Sequence, residues 1–227
     1  MKKTAALLLA AVLTGGSLSA QEDSSYSITV DFPYVSDYVF RGVKFADDSI
    51  QPSIEFATGD FYAGMWTSQP VTGNIANEFD FYMGYGVALS DTWALDFGFT
   101  YYYYPETPSG DEQFEPFVGV SGDLGGGMSA SAYYYYETEF EASTFQVGLG
   151  YSAEISDTST FDFAADYGFV GFDGGGDYSY WSLSGTYNLT LNDTASTYLG
   201  LVYADNDIGG GADDSFFYVI TGISLGF

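Results

Sequence analysis

The chain has no cysteine, no histidine, six prolines and only four basic residues in 227. Without cysteine, an exported chain has no disulfide staples. Without histidine or cysteine, the usual base and thiol nucleophile of phospholipase, acyl-transfer or protease chemistry are missing, and no enzyme is expected. So few lysines and arginines exclude the clustered cations that phosphates require, so no nucleic-acid partner is expected. After the first twenty residues there is no run of about 18 apolar residues, which removes an inner-membrane helix. An overall hydropathy near zero does not argue against a membrane protein that crosses with strands, because alternating strands average out.

What is abundant is glycine (29), tyrosine (22), phenylalanine (20) and carboxylate (31), a composition suited to strands and tight turns. Lys2 and Lys3, an apolar stretch from Ala5 to Leu13, and small residues up to Ala20 have the three-part layout of a secretory signal peptide. Residues 1–20 are therefore read as a signal peptide cut near Gln21, or one residue earlier after Ser19, and residues 21–227 as the folded domain. The mature chain keeps Arg41 and Lys44 as its only fixed cations.

Period-two alternation dominates the mature chain. Phe79, Phe81, Met83, Tyr85, Val87 and Leu89 fall on one face, with Glu78, Asp80, Tyr82, Gly84 and Gly86 on the other. Trp93, Leu95, Phe97, Phe99, Tyr101 and Tyr103 repeat the pattern opposite Asp96 and Thr100, after a short Ser90-Asp91-Thr92 turn. Each run has the ~9–11 residues a tilted strand needs to cross a hydrocarbon layer. The same reading predicts about twelve strands, near 26–40, 49–57, 61–68, 78–89, 93–104, 114–121, 128–138, 144–154, 160–169, 178–189, 195–204 and 216–227. Ten or fourteen would result if the Pro33 region or the Gly125 to Gly127 turn is misread. Short connections at 58–60, 90–92, 156–159 and 190–194 alternate with longer acidic ones, as periplasmic turns alternate with external loops.

The fold expected is an all-β, transmembrane, antiparallel up-and-down β-barrel in a Gram-negative outer membrane, facing outer-membrane lipid and lipopolysaccharide. Trp66, Tyr101 to Tyr104, Tyr133 to Tyr136, Tyr180 and Trp181 fall at predicted external strand ends, and Trp93, Tyr151 and Phe227 at the other, as two interfacial girdles would. A secreted β-sandwich also alternates, but its outward face should be polar. Pro33, Pro52 and Pro116 each remove a ladder hydrogen bond. The last two lie near predicted strand ends; Pro33 lies inside the first strand and implies a bulge or a later start. Ile223, Leu225 and Phe227 close an alternating terminal strand, the form of an assembly signal for the outer-membrane insertion machinery.

Tyr38-Val39-Phe40-Arg41-Gly42, Phe61 to Ser68, Glu78 to Tyr85, and Leu95 to Gly98 running into Tyr101 to Pro105 resemble the TorF-family putative porins over the first half of the mature chain. That resemblance implies an outer-membrane pore without an established site.

By parity, the candidate lumen residues are Arg41, Glu55, Glu78, Asp80, Asp96, Glu115, Asp162 and Asp166. Arg41, with Tyr38 and Phe40 pointing outward, is expected to sit among Glu55, Glu78, Asp80 and Asp96 as a register-fixing network or a constriction. Inward Tyr82, Tyr102, Tyr133, Tyr135 and Tyr198 would narrow the bore. A Glu78/Asp96 pair acting on sugars is formally possible, but hydrated lumen carboxylates are the favoured reading. Asp173 to Asp177, Asp205-Asn206-Asp207 and Asp213-Asp214 match no calcium-loop spacing, so neither metal nor cofactor is expected. An acidic lumen favours cations. The function expected is passive diffusion of small solutes or ions through a weakly cation-selective pore; the alternative is a non-conducting structural or surface-binding barrel.

Overall fold

The computed structural model describes residues 26–227 except 74, 108–110 and 210–213; the segment read as a signal peptide lies outside them. Alternating sequence becomes strand almost throughout. The strands are β1 (Ser27–Val35), β2 (Tyr38–Phe40), β3 (Val43–Ala46), β4 (Ser49–Ile50), β5 (Ser53–Thr58), β6 (Phe61–Pro70), β7 (Glu78–Ala88), β8 (Trp93–Tyr104), β9 (Asp111–Gly125), β10 (Met128–Glu137), β11 (Ala142–Ser156), β12 (Ser159–Phe172), β13 (Asp177–Asn192), β14 (Ala195–Asn206) and β15 (Ser215–Gly226).

β4 and β5 form one stave, interrupted at Gln51 and Pro52, so the wall has twelve staves, each antiparallel to the next. It closes where β1 pairs with β15, from Thr29 opposite Gly226 to Val35 opposite Ile220. The seam is finished by reciprocal backbone bonds between Ile28 and Phe227, at 3.0 and 2.9 Å. Closure leaves no sheet edge, the condition for strands to cross a bilayer, and rules out the sandwich. The outside is the apolar face: Phe81, Met83, Phe97, Leu149, Phe163, Leu183, Leu199 and Phe217 are all exposed. The inside holds the carboxylates.

The prolines sit where the ladder is already broken. A residue's N–H and C=O point to the same side of its strand. The Pro33 carbonyl accepts the Gln51 N–H at 2.9 Å, so its missing donor faces the gap between β4 and β5. β1 runs through Pro33, and the irregularity lies on its neighbour rather than in a bulge or late start of its own. Pro116 is not near a strand end, because β9 begins at Asp111. Instead it ends the β9–β10 ladder, which stops at Phe117 opposite Tyr135, while the β8–β9 ladder continues to Asp111.

The first stave differs most from expectation. It ends at Val35, and β2 and β3 form a separate two-stranded hairpin that leaves the wall from the connection between the first two staves and folds into the lumen. Tyr38, expected to face outward, is buried with Val35, Ala46, Tyr198, Val202, Ala204, Tyr218 and Ile220. The reason is on the opposite wall, where β14 and β15 present apolar Val202, Ala204 and Ile220 inward. The hairpin covers them and leaves a small hydrophobic core inside the barrel.

Candidate functional site

The hairpin tip is the two-residue turn Arg41-Gly42, with both φ angles positive, 49° and 76°, as a type I′ turn requires. Glycine pays nothing for this conformation. A non-glycine residue loses about 1–2 kcal/mol, offset here by what the Arg41 side chain reaches. Its guanidinium forms a bidentate pair with Glu115 on β9, Nη1 to Oε2 at 2.6 Å and Nη2 to Oε1 at 2.9 Å. It lies between the Phe40 and Tyr135 rings, 4.7 and 4.6 Å from their centroids. The Tyr102 hydroxyl donates to Glu115 at 2.9 Å. Beside Arg41, the Gly42 carbonyl accepts from Asn206 Nδ2 at 2.7 Å. A Cβ at Gly42 would come within 2.6 Å of the Tyr180 Cβ. The hairpin thus crosses the bore from the β1/β4 side to β9, β13 and β14.

Arg41 is therefore delivered by an inserted turn and not by the wall of the first strand, and Phe40 is folded in beside it. Parity failed because it assumes that the strand continues past Val35. Of the four carboxylates expected around Arg41, none is its partner; Glu115 is.

The other lumen carboxylates are held mainly by tyrosine. Tyr62 donates to Asp96 at 3.0 Å and Tyr133 at 3.2 Å. Tyr82 donates to Glu55 at 3.1 Å and Tyr104 to Glu78 at 2.7 Å. Asp31, which parity also points inward opposite Val30 and Phe32, takes the Tyr198 hydroxyl at 2.8 Å. Asp162 accepts from Ser152 at 2.6 Å and Asn188 at 2.7 Å, and Asp166 from Ser182 at 3.4 Å. All the lumen candidates except Arg41 come from staves, and their side chains lie on the inner face of the wall. A tyrosine satisfies a carboxylate without supplying a counter-charge, and Arg41 is the one cation paired to a stave carboxylate among the described residues, Lys44 being paired within its own hairpin segment.

Tyrosine is accommodated by glycine on the neighbouring stave. Tyr82 lies over Gly64, Tyr62 over Gly84, Tyr133 over Gly119, Tyr180 over Gly168 and Tyr198 over Gly222, each so close that a Cβ on the glycine would overlap the ring or its hydroxyl. Tyr62, Phe117 and Tyr133, all buried, make an aromatic belt around Asp96. Asp96 pairs with Gly119, four residues along β9 from Glu115 toward the short turn into β10.

Three girdle assignments are corrected, the first being Tyr104, which donates inward to Glu78. Trp66 pairs with Asp80 on the lumen side of β6 and packs on Tyr38 at 5.5 Å between ring centroids. Tyr180 is buried and donates inward to Gln146 at 2.6 Å. Trp181 does face outward. The Glu78/Asp96 pair is also set aside. Asp96 lies opposite Gly86, eight residues along β7 from Glu78, or about 26 Å at ~3.3 Å per residue, against the ~5–9.5 Å that sugar hydrolysis needs. The acidic turns form local bonds: Asp207 accepts the Ser179 N–H at 2.6 Å and Asp173 the Tyr136 hydroxyl at 3.4 Å. Asp213 lies outside the described residues. Among those residues no three His, Cys, Asp or Glu side chains are grouped to hold a metal.

What sequence reasoning missed is the hairpin and the chamber beside it. The chamber has a volume of about 230 Å³ and lies between the hairpin and staves that include β7, β12 and β13. The available signal was a cluster of inward apolar residues, Val202, Ala204 and Ile220, on staves whose inward positions should be polar.

Known structures share this architecture. A KdgM porin superposes with a TM-score of 0.64 at 9% identity, covering 88% of this chain and 99% of its own. A NanC porin gives 0.59 at 16% identity, covering 87% and 98%. An outer-membrane channel from Pseudomonas putida F1 gives 0.55 at 10% identity, covering 95% and 100%. At such identities the likeness establishes the fold, that of an outer-membrane β-barrel. Among curated proteins none matches the chain. The family described as "Bacterial protein of unknown function (Gcw_chp)" matches residues 19–208, and the chain belongs to that family.

Proposed function

We propose that this protein is an outer-membrane channel of a Gram-negative bacterium, passing small hydrophilic solutes or ions with weak cation preference, and that the Arg41 hairpin is its constriction. The observation that carries the reading is the bore itself. Eight inward carboxylates, Asp31, Glu55, Glu78, Asp80, Asp96, Glu115, Asp162 and Asp166, face one guanidinium that is already paired to Glu115. Rings of carboxylate raise the local concentration of cations and repel anions. The porin fold and the resemblance to TorF-family porins support transport rather than catalysis. A KdgM porin has been solved in complex with disordered oligogalacturonate; such a polyanion would be repelled by this lumen, so the solutes proposed here are neutral or cationic. The partners proposed are lipid and lipopolysaccharide outside, and the insertion machinery that reads Ile223, Leu225 and Phe227 during assembly.

The test is single-channel conductance and reversal potential of the refolded protein in a planar bilayer under a salt gradient, for wild type and Arg41→Ala. Discrete cation-preferring steps that enlarge in the variant are expected. A reversal potential of the anion-preferring sign refutes the selectivity. The belt of Tyr62, Phe117 and Tyr133 beneath an inserted hairpin favours a second reading, a non-conducting barrel, which a correctly folded but silent wild type would select.

A further inference from the structure

The chamber beside the hairpin brings aromatic faces together with two carboxylates, Asp80 and Asp166, that have no ion-pair partner among the described residues. Its walls include Tyr38, Trp66, Tyr82 and Tyr180, with Asp80 on β7 and Asp166 on β12, the fourth and ninth of the twelve staves. Asp80 is 8% exposed, and its Oδ1 has no hydrogen-bond partner among the described residues. A buried carboxylate oxygen with neither donor nor counter-ion is costly, and the chamber that Asp80 lines, at about 230 Å³, far exceeds the ~10–15 Å³ that admits one water. The two cations of the described chain are already engaged, Arg41 with Glu115 and Lys44 with Asp37 and Asp47. The shape of an occupant is shown nearby, because the Arg41 guanidinium is itself a cation held between two rings and a carboxylate.

We propose that this chamber is a binding site for a small organic ammonium ion, whose N–H or N–CH face meets Asp80 while its alkyl groups lie against Trp66, Tyr38 and Tyr82. An ammonium ion supplies the charge that Asp80 lacks, and the aromatic walls attract it through their quadrupoles. A hydrated sodium ion of the same charge has no apolar surface to bury there. This deepens the channel reading, since it names amines among the solutes, but the site does not depend on conduction.

The experiment uses the full refolded barrel in detergent, with Trp93→Phe and Trp181→Phe so that Trp66 is the remaining indole. Trimethylammonium chloride is titrated against sodium chloride at equal ionic strength, and Trp66 emission is read. A saturable change with trimethylammonium and none with sodium is expected, with at least tenfold weaker binding in Asp80→Asn. Heat-dependent gel migration verifies that each variant is folded. Should Asp80→Asn not fold, Asp166→Asn is titrated with the same expectation of at least tenfold weakening. No saturable change, an equal change with sodium, or unaltered binding in the folded aspartate variant overturns the site. A barrel that conducts cations but fails this titration refutes the site and leaves the channel standing; one that binds trimethylammonium but never conducts does the reverse.

Discussion

Replacing Arg41 by alanine should undock the hairpin. The side chains of the pair are 12% and 3% exposed, so the interaction is effectively buried, and removing one partner strands the other. For buried pairs that costs about 3–5 kcal/mol. Alanine keeps the left-handed strain at position 41, and the loss of the contacts with Phe40 and Tyr135 adds to the cost. At ~1.4 kcal/mol per tenfold, even the lower bound shifts the docked-to-undocked equilibrium more than about 100-fold. Hydrogen exchange of the refolded barrel reads this directly. Amides of β2 and β3, protected by the ladder Val39–Lys44 and Phe40–Val43, should exchange about 100-fold faster, while those of β12 and β13 stay unchanged. Adding Glu115→Gln should recover part of the loss, about 1–3 kcal/mol, because the stranded charge is removed. Unchanged exchange in β2–β3 in Arg41→Ala would refute the claim that the ion pair holds the hairpin, leaving its apolar contacts with Val202 and Ile220 and the Asn206–Gly42 hydrogen bond as the anchors.

Gly119→Ala places a methyl group inside the Tyr133 ring and should destabilise the barrel by about 1–3 kcal/mol, seen as an earlier urea transition in detergent; an unshifted midpoint would show that ring and glycine do not depend on each other. Tyr62→Phe or Tyr133→Phe alone should cost about 0.5–1.5 kcal/mol, and the pair together more than the sum, since only the double variant leaves Asp96 with no tyrosine donor. Strict additivity in that cycle would contradict shared clasping. Deleting Phe227 should lower the yield of heat-modifiable barrel in cells more than the yield of refolding in vitro, because it removes both a seam contact with Ile28 and the terminal aromatic; equal yields in both settings would argue against an assembly signal.

The lumen set was legible one residue at a time. Glu55, Glu78, Asp80, Asp96, Glu115, Asp162 and Asp166 all face inward because a strand's side chains alternate whatever its neighbours are. Asp31 obeys the same rule. Tyr104, Tyr180 and Trp66 were misplaced because an aromatic at a strand end suits the interface and the lumen equally, and alternation overrides that preference: Tyr180 alternates with outward Trp181, and Trp66 sits opposite Asp80.

The sequence by itself determined the barrel. Alternation of period two, strand lengths near those a bilayer demands, and the short-long rhythm of connections are local properties, and they carried the twelve staves, the acidic bore and the apolar exterior. Only the tertiary structure decided what the bore contains. That residues 36–48 fold inward, that Arg41 meets Glu115 74 positions later, and that Asp80 is left facing an aromatic chamber all depend on which staves closure brings face to face. Contacts across a lumen join residues far apart in the chain, and no local period records them.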